Sequence, residues 1–391
     1  MKLWQKKYKL NELVEKFTVG NDYVLDCKLV KHDCRASIAH ARMLEKIGVL
    51  SKEEREALER ALEEIIELDA RGKFEIRVED EDCHTAIENY LVEKIGNVGK
   101  KIHTARSRND QVLAALRLYY REEGKRTLEL IGELQKALAL LKKKSGKTEL
   151  PGYTHMRKAM PSSIEMWSSV FEQSMEDNKE LLKCALKLLD QSPLGSGAGY
   201  GLPIDVDREM TAKLLGFSRV QKSPIYVQNG RGKLEATLIH ALAQIMLDLN
   251  RMASDLILFS MPEFGFFELP EEICTGSSIM PQKRNPDVLE LIRAKYHAVN
   301  ACEFEVRGIT ANLISGYHRD LQLTKEPVMR ALGIAEDSLE VVALVLEKLK
   351  VNEENCKRAM TRELFATKKA YELVKKGVEF REAYRRVAKE F

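Results

Sequence analysis

Hydrophobic residues recur at three- and four-residue intervals over several long stretches of this chain, and this spacing predicts amphipathic helices. The longest run covers residues 107–144, and others cover residues 51–69, 234–260, 288–306 and 336–350. Ser51 and Glu54 form a capping-box pattern before one run, and Ser162 and Glu165 repeat it before a helix toward residue 190. Without strand signals between these helices, the predicted fold class is all-α, with a bundle of long helices.

The segment 234–259 is apolar over much of its helical circumference, which predicts burial on several sides and is typical of a helix at the centre of an oligomer. Segments that contain proline and glycine separate the helices at residues 146–161, 192–203 and 261–286. The glycine-rich stretch 195–201 follows no strand and does not fit the G-x-G-x-x-G pattern, so we interpret it as a structural loop and not a nucleotide site.

Composition indicates a soluble globular protein, with 44% hydrophobic and 31% charged residues among 391. The net charge of +3 is too small to indicate nucleic-acid binding. Seven widely spaced cysteines without a C-x-x-C pair favour reduced thiols over disulfides or a zinc site. Polar residues interrupt the most apolar segment, which argues against a membrane span, and the N-terminus lacks a signal-peptide pattern. We therefore expect a cytoplasmic protein.

The most distinctive segment is the loop at residues 276–287, which reads GSSIMPQKRNPD. Its hydroxyls, carboxamides and two cations lie directly before a predicted helix, whose N-terminus favours negative charge. The segment is therefore a candidate anion-handling loop. The alternative is an ordinary connection between two helices, in which the polar residues only cap the second helix.

Five further clusters carry candidate chemistry, each with a structural alternative. Residues 103–111 read HTARSRNDQ and place two arginines at a helix start, where they could bind carboxylates or lie on the surface. Residues 151–156 read PGYTHM, and a single loop histidine is more often structural than catalytic. Residues 79–88 could be a solvated acidic start of a helix, and residues 33–40 could contain a helix cap. Residues 317–327 read YHRDLQLTKEP, whose Tyr, Gln and Lys could hold a carboxylate.

Taken together, these segments resemble the argininosuccinate lyase and δ-crystallin family of the fumarase/aspartase superfamily. The loop is similar to the superfamily motif GSSxMPxKxNP, and Gln282 with Asp287 is the form typical of this family. The YHRDLQLTKEP segment is the most diagnostic, because the wider superfamily does not share it. The resemblance implies a three-region, fumarase/aspartase-like fold: an N-terminal helical domain (1–106), a central long-helix bundle (107–351) and a shortened C-terminal helical domain (352–391).

The resemblance implies the reversible elimination of argininosuccinate to arginine and fumarate in arginine biosynthesis, without a metal or an organic cofactor. It also implies a homotetramer in which each active site draws on three subunits. The implied catalytic residues are Ser277 as the base, His155 as acid or proton relay, Glu290 as the partner of His155, and Lys283 as a stabiliser of negative charge. The implied substrate-binding residues are Ser37, His84, Arg108, Asn109, Thr154, Arg231, Asn285, Tyr317, Gln322 and Lys325.

The chain departs from the family pattern at two places. In residues 223–233 Arg231 is kept, but glycines replace both flanking acids and Ser223 replaces an asparagine. If those acids hold the cationic end of the substrate in the family, the identity of the substrate is less certain for this chain. The sequence also stops at Phe391, where the family normally continues, so we expect a reduced third region.

Three other interpretations are compatible with parts of this pattern. The first is a sister lyase of the superfamily, such as one that acts on adenylosuccinate, aspartate or fumarate itself. The second is a non-catalytic structural protein of the crystallin kind, although the intact loop residues favour an enzyme. The third is a helical-bundle interaction protein, which would release no fumarate from any substrate.

Overall fold

The computed structural model describes residues 11–391, and helices dominate it. In chain order the α-helices are α1 Glu12–Val19, α2 Asp22–Leu25, α3 Val30–Lys46, α4 Lys52–Ala70, α5 Cys83–Ile95, α6 Asn97–Lys100, α7 Arg108–Ser145, α8 Ile164–Leu189, α9 Arg208–Leu214, α10 Pro224–Asn229, α11 Lys233–Ser260, α12 Asp287–Thr310, α13 Lys325–Lys348, α14 Glu353–Ala359, α15 Ala366–Lys375 and α16 Phe380–Ala388. Short 3₁₀ turns cover Asp26–Lys28, Val78–Asp80, Lys101–His103, Glu271–Ile273, Arg319–Thr324 and Arg362–Phe365. Among residues 11–391, every helix is too short or too polar to cross a lipid bilayer.

The sequence correctly predicts the long helices, and the capping box at the start of α4 is confirmed. Ser51 Oγ accepts a hydrogen bond from the Glu54 amide at 3.2 Å, and the Glu54 carboxylate accepts one from the Ser51 amide at 3.0 Å. The predicted box at the start of α8 is wrong by one residue, because Ser163 provides the cap by accepting from the Met166 amide at 3.1 Å.

Two short strand pairs are the exception to the all-helical prediction. The segment 146–161, which we predicted as a linker, contains β1 Glu149–Thr154 and β2 Arg157–Ser163, which pair antiparallel. Their turn has positive φ angles at His155 (52°) and Met156 (57°), which is the geometry of a type I′ hairpin turn. The second pair joins β3 Phe267–Glu268 to β4 Lys350–Val351.

The chain divides into two compact units. The first unit contains residues 1–125, 183–239 and 302–330, and the second contains residues 126–182, 240–301 and 331–391. The three-region division of the sequence stays a prediction.

The core of the first unit includes small side chains on α3 and α7 that pack beside larger ones near α9. Ala36, Ala39 and Ala114 belong to one buried cluster with Leu215 and Phe217. Alanine at these positions leaves room for the larger side chains, so the helices can approach closely. This packing fixes α3 and the start of α7, which carry several of the predicted site residues.

The second unit has an aromatic core. Phe259 lies within 5.6–6.5 Å, between ring centroids, of Phe264, Phe266 and Phe267. Tyr153 of the β1–β2 hairpin contacts the same cluster, 6.2 Å from Phe264. Contact with these rings holds the base of the hairpin whose tip carries the predicted Thr–His pair. Helix α11 is buried on several sides, as its composition predicts, with residues such as Leu242, Ile245, Met246, Leu249 and Met252 fully or nearly fully buried.

Candidate active site

Seven of the predicted substrate-binding residues line one small cavity in the first unit. They are His84, Arg108, Asn109, Arg231, Tyr317, Gln322 and Lys325. The cavity has a volume of about 70 Å³, which corresponds to roughly two water molecules. A carboxylate group fits such a space. The four motifs that supply these residues are far apart in sequence, and the fold of the first unit brings them together.

His84 is held in the cavity wall by a buried carboxylate. Its Nδ1 lies 3.0 Å from Oδ1 of Asp33, and both carboxylate oxygens of Asp33 lie 3.1 Å from Nε2 of Gln111. Burial acts to raise the pKa of Asp33, but His84, Arg106 and Gln111 outweigh it and lower the pKa to about 2. Burial acts to lower the pKa of His84, and the carboxylate neighbours, Asp33 first, more than reverse this. The pair therefore favours a protonated ring beside the cavity.

Arg108, in the first turn of α7, is fixed by contacts on several sides. Its guanidinium donates to Gln111 Oε1 at 3.2 Å and to Thr85 Oγ1 at 3.3 Å, and it lies 3.4 Å from Glu88 and 3.6 Å from Asp82. A guanidinium restrained in this way loses little further freedom when it binds a carboxylate. The arrangement supports the predicted role of Arg108 in anion binding.

Ser37 does not line this cavity, although we predicted it as a substrate contact. It is fully buried in α3, and its Oγ accepts a hydrogen bond from Arg106 Nη1 at 2.8 Å. In this structure the side chain positions Arg106, the arginine that precedes Arg108 in the same motif. A direct contact with substrate remains a prediction.

The YHRDLQLTKEP segment makes its contacts with the N-terminal part of the chain. Lys325 Nζ pairs with Asp26 and lies 3.2 Å from Asp22, and Gln322 Nε2 donates to the Thr18 carbonyl oxygen at 3.0 Å. Burial acts to lower the pKa of Lys325, but Asp26 and Asp22 raise it. The ammonium group is thus charged and already neutralised by two carboxylates.

Arg231 is retained in the divergent segment 223–233 and reaches the same cavity. It is 5% exposed, and its Nη2 donates to the Leu321 carbonyl oxygen at 3.1 Å. Its guanidinium carbon lies 5.7 Å from the centre of the Tyr317 ring. Its Nε and Nη1 atoms have no hydrogen-bond partner among the described residues, which leaves donors for a bound anion.

Asp26, Cys83 and His84 form the group of potential metal ligands in the described part of the chain. Their ligand atoms lie within 4.8 Å of one another and are buried. However, the Lys325 ammonium already pairs with Asp26, and burial together with nearby carboxylates raises the pKa of the Cys83 thiol. A protonated thiol and an occupied carboxylate are poor ligands, so these residues do not fit a metal site.

In the second unit, the loop predicted to carry the base is closed at its two ends by backbone pairing. Thr275 and Asn285 exchange hydrogen bonds of 3.0 and 2.8 Å, and Asn285 Nδ2 also donates to the Gly276 carbonyl oxygen at 3.2 Å. Inside this loop, Ser277 Oγ accepts from the backbone amides of Ile279 at 3.4 Å and Met280 at 3.1 Å. Amide groups that point at a hydroxyl oxygen stabilise negative charge on it.

Lys283, Asn285 and Glu290 line one larger pocket of the second unit, with a volume of about 860 Å³. Glu290 lies in the first turn of α12, as predicted, and both Lys283 and Glu290 are exposed. Thr154 and His155 do not line this pocket, because they lie at the exposed tip of the β1–β2 hairpin. The side chains of His155 and Glu290 form no hydrogen bond or ion pair with another residue in the range 11–391. The predicted pairing of these two side chains is therefore absent within one chain.

Comparison with known proteins agrees with this set of motifs. A family model described as lyase matches residues 6–300. The argininosuccinate lyase of Thermotoga neapolitana is 53% identical over 390 residues, which span all of this chain and 98% of that protein. The chain belongs to the argininosuccinate lyase family. The argininosuccinate lyase of Sorangium cellulosum is 45% identical across all of this chain and 90% of that protein.

Solved structures show that this member of the argininosuccinate lyase family has a fumarase-like fold. A class II fumarase from Schistosoma mansoni superposes with a TM-score of 0.81 at 17% identity, over 96% of this chain and 90% of that one. An EDDS lyase in complex with formate superposes with a TM-score of 0.80 at 25% identity, over 98% of this chain and 76% of that one.

Sequence reasoning missed several residues that hold this argininosuccinate lyase family site in place. Asp33 and Gln111 lie inside the motifs we identified, but their pairing requires two helices to meet, which no local pattern indicates. Asp110 is another: its carboxylate accepts from the amides of Ser107, Gly195 and Gly197 at 2.9–3.1 Å. The glycine-rich loop 195–201 is therefore tied to the helix start that carries Arg108. The structural interpretation of that loop is consistent with this contact.

Proposed function

We propose that this chain catalyses the reversible elimination of argininosuccinate to arginine and fumarate. The observation that carries the proposal is the 53% identity over the full chain to an argininosuccinate lyase, with the motif residues retained in the described structure. In this reaction a base removes a Cβ proton, the bond between carbon and the guanidino nitrogen breaks, and that nitrogen receives a proton. The chain requires a base, an acid and a set of cations for the substrate carboxylates.

We propose Ser277 as the base. A serine hydroxyl is a weak base unless its oxyanion is stabilised, and the amides of Ile279 and Met280 supply two donors to its oxygen. Lys283 has no ion-pair partner among the described residues, so its ammonium is available for the carboxylate on which negative charge grows. Asn285 closes the loop and would orient the substrate from there.

The first-unit cavity supports carboxylate binding. Arg108 and Asn109 would hold a fumarate-side carboxylate with Thr154 and Ser37, and Tyr317, Gln322 and Lys325 would hold the arginine-side carboxylate. For the last two residues this role requires them to leave or share their present partners near the N-terminus. The unpaired donors of Arg231 favour a further anionic contact at the same place.

We propose that His155 acts as proton relay together with Glu290 in a cytoplasmic homotetramer whose subunits share active sites. Exposed apolar side chains in the second unit support self-association: Met166 and Val170 are each 59% exposed and Leu291 is 60% exposed. Such side chains on helices are typical of an interface when they are contiguous. The absence of a partner for His155 within one chain is also consistent with a site completed by another subunit.

The residue assignments are tested by fumarate absorbance with purified variants. We expect Ser277→Ala to reduce kcat by at least about a hundredfold, because the reaction loses its base. Ser278→Ala is the matched control, since it removes a hydroxyl from the same loop, and we expect near wild-type turnover. Equal activity of both variants would refute Ser277 as the base.

Sharing of sites is tested by mixing two inactive variants. Ser277→Ala and Arg108→Ala place their defects in different units of the chain. If sites combine residues from several subunits, co-refolded mixtures regain activity in a fraction of their sites, whereas sites confined to one chain regain none. Light scattering on the same samples measures the mass of the assembly, and a monomer would contradict the tetramer.

A sister lyase activity is the second candidate, and the glycines at 230 and 232 favour testing it. Gly232 has a φ of +78°, and an added Cβ would lie 2.2 Å from the Thr310 side chain, so the family's acidic residue does not fit there without rearrangement. Adenylosuccinate is therefore included as a competing substrate.

A further inference from the structure

A second cleft in the first unit lies further along α7, toward the C-terminal end of the helix, than the candidate active-site cavity. It is formed by α3, α7 and α9 and has a volume of about 370 Å³, which is within the range of small-molecule sites. Arg108 begins α7 and Arg121 lies thirteen residues later, which places the cleft about 20 Å along the helix from the active-site cavity. No residue lines both cavities.

One wall of this cleft is aliphatic. Ile38 and Ala39 of α3, Leu118 of α7, and Leu214 and Leu215 near α9 form it. Leu214 is 41% exposed, so part of this apolar surface is open to solvent. A wall of this kind favours a ligand that has an apolar body.

The rim of the cleft is basic. Arg35, Arg42, Arg121 and Lys125 line it, and Glu122 is the one acidic residue of the lining. Arg42 pairs with Glu59, outside the lining, at 2.7 Å. Glu122 is shared between Lys31 and Arg35, with Arg35 at 3.5 Å. Lys125 has no ion-pair partner among the described residues. The rim therefore has more positive charge than its own acids neutralise.

Arg121 is the most firmly placed of these cations. Its guanidinium donates to the carbonyl oxygens of Leu215 at 2.7 Å and Gly216 at 2.8 Å, and it lies 5.0 Å from the centre of the Phe217 ring. It also forms an ion pair with the carboxylate of Asp190 at 3.8 Å. Two neutral carbonyl groups and one carboxylate thus hold the arginine in place beside the cleft, and a preorganised cation of this kind loses little further freedom when it binds an anion.

The floor of the cleft contains a buried polar group without a partner. His32 is 1% exposed, and neither ring nitrogen has a hydrogen-bond partner in the described structure. Buried polar atoms almost always have a protein or water partner, so the ring nitrogens of His32 are available to a water or a ligand in the cleft.

We propose that this cleft is a second ligand site, which binds a small organic anion that has an apolar body, with a mononucleotide as the probe of this class. The anionic group would lie at the rim with Arg35, Arg121 and Lys125, and the ring would lie on the aliphatic wall. Because α3 and α7 also carry Asp33 and Arg108, a ligand bound here contacts the helices that position the candidate active site.

The test is isothermal titration of the full-length protein with AMP, with 1-naphthyl phosphate as a second flat anion. We expect AMP to bind at least about tenfold more tightly than adenosine or inorganic phosphate, because each of these lacks one of the two recognised parts. Arg35→Gln and Lys125→Gln should each weaken AMP binding by about fivefold or more. Lys136→Gln, which removes an exposed lysine of α7 outside the cleft, is the matched control and should bind as wild type.

Leu214→Asp provides a second arm, since a carboxylate at this 41% exposed position keeps contact with solvent, and the added charge should abolish binding. The proposal fails if neither flat anion binds, or if Arg35→Gln and Lys125→Gln bind like the control. It also fails if inorganic phosphate binds as tightly as AMP, which would indicate an adventitious ion only. Since binding is measured without argininosuccinate, these outcomes do not depend on the proposed enzymatic activity.

Discussion

Replacement of Asp33 by asparagine tests the buried network that positions the first-unit cavity. Asp33 is fully buried and contacts His84 and Gln111 at 3.0–3.1 Å. Asparagine keeps the size of the side chain but removes its charge. Its amide would also face the Gln111 amide, and Gln111 cannot simply turn over, because its Oε1 already accepts from Arg108. The substitution therefore disturbs His84 and Arg108 together.

The magnitude follows from the pKa of Asp33, which the fold lowers from 3.8 to about 2. At 1.36 kcal/mol per pKa unit, the carboxylate contributes about 2.5 kcal/mol to the free energy of unfolding at neutral pH. Because the folded-state pKa is depressed, this contribution is complete above about pH 4 and is lost as the pH falls to about 2. A clash with Gln111 adds to the loss, so we expect Asp33→Asn to lose about 2–4 kcal/mol.

The assay is urea unfolding at fixed protein concentration between pH 5 and pH 8, combined with the KM for argininosuccinate. Wild type and Asp33→Asn should differ by a nearly constant free energy across this range, and the KM of the variant should rise because Arg108 is less well held. Asp205→Asn, which changes an exposed acid without an observed partner, should match wild type within about 0.5 kcal/mol. An Asp33→Asn variant that behaves like Asp205→Asn would refute the network.

Two further predictions concern stability. His32 and His40 are buried, and burial is the chief cause that lowers their pKa values to about 4 and about 3. The free energy of unfolding should therefore be highest above pH 6.5 and fall progressively toward pH 3, by up to about 3 kcal/mol for His32 and about 5 kcal/mol for His40. Urea midpoints from pH 7.5 to pH 4.5 measure this loss, and a flat profile would contradict it. Gly99→Ala would place a Cβ 2.5 Å from the backbone of Leu91 and should destabilise the protein by about 1–3 kcal/mol. Gly132→Ala, in an open position of α7, should stabilise it by about 0.5–1 kcal/mol in the same urea unfolding experiment.

The long helices could be predicted from the sequence because their hydrophobic period is local information. The run at 107–144 became α7 Arg108–Ser145, and the run at 234–260 became α11 Lys233–Ser260. Helix α13 starts at Lys325, eleven residues before the predicted start, and Pro327 lies in its first turn, where proline is tolerated. The β1–β2 hairpin was missed because its turn places His155 and Met156, and not asparagine or glycine, in the left-handed region.

For the candidate site too, the sequence predicts features that depend on local motifs and misses contacts between residues far apart in the chain. Motif resemblance identified the side chains around the first-unit cavity, including Arg108 and Arg231. It did not indicate that Lys325 pairs with Asp26, since 299 residues separate the two in sequence. Ser37, predicted as a substrate contact, instead supports Arg106 in this structure. The second cleft beside Arg121 escaped notice because its cations come from two helices, and of these cations only Arg35 lies within a motif identified from the sequence.

The central claim is that this chain is a lyase that acts on argininosuccinate. The most direct measurement follows fumarate absorbance while the purified wild-type protein is incubated separately with argininosuccinate and with adenylosuccinate, and quantifies arginine in the first reaction. Our account predicts fumarate and arginine in equal amounts from argininosuccinate, and no fumarate from adenylosuccinate. Fumarate from adenylosuccinate alone, or from neither compound, would contradict it.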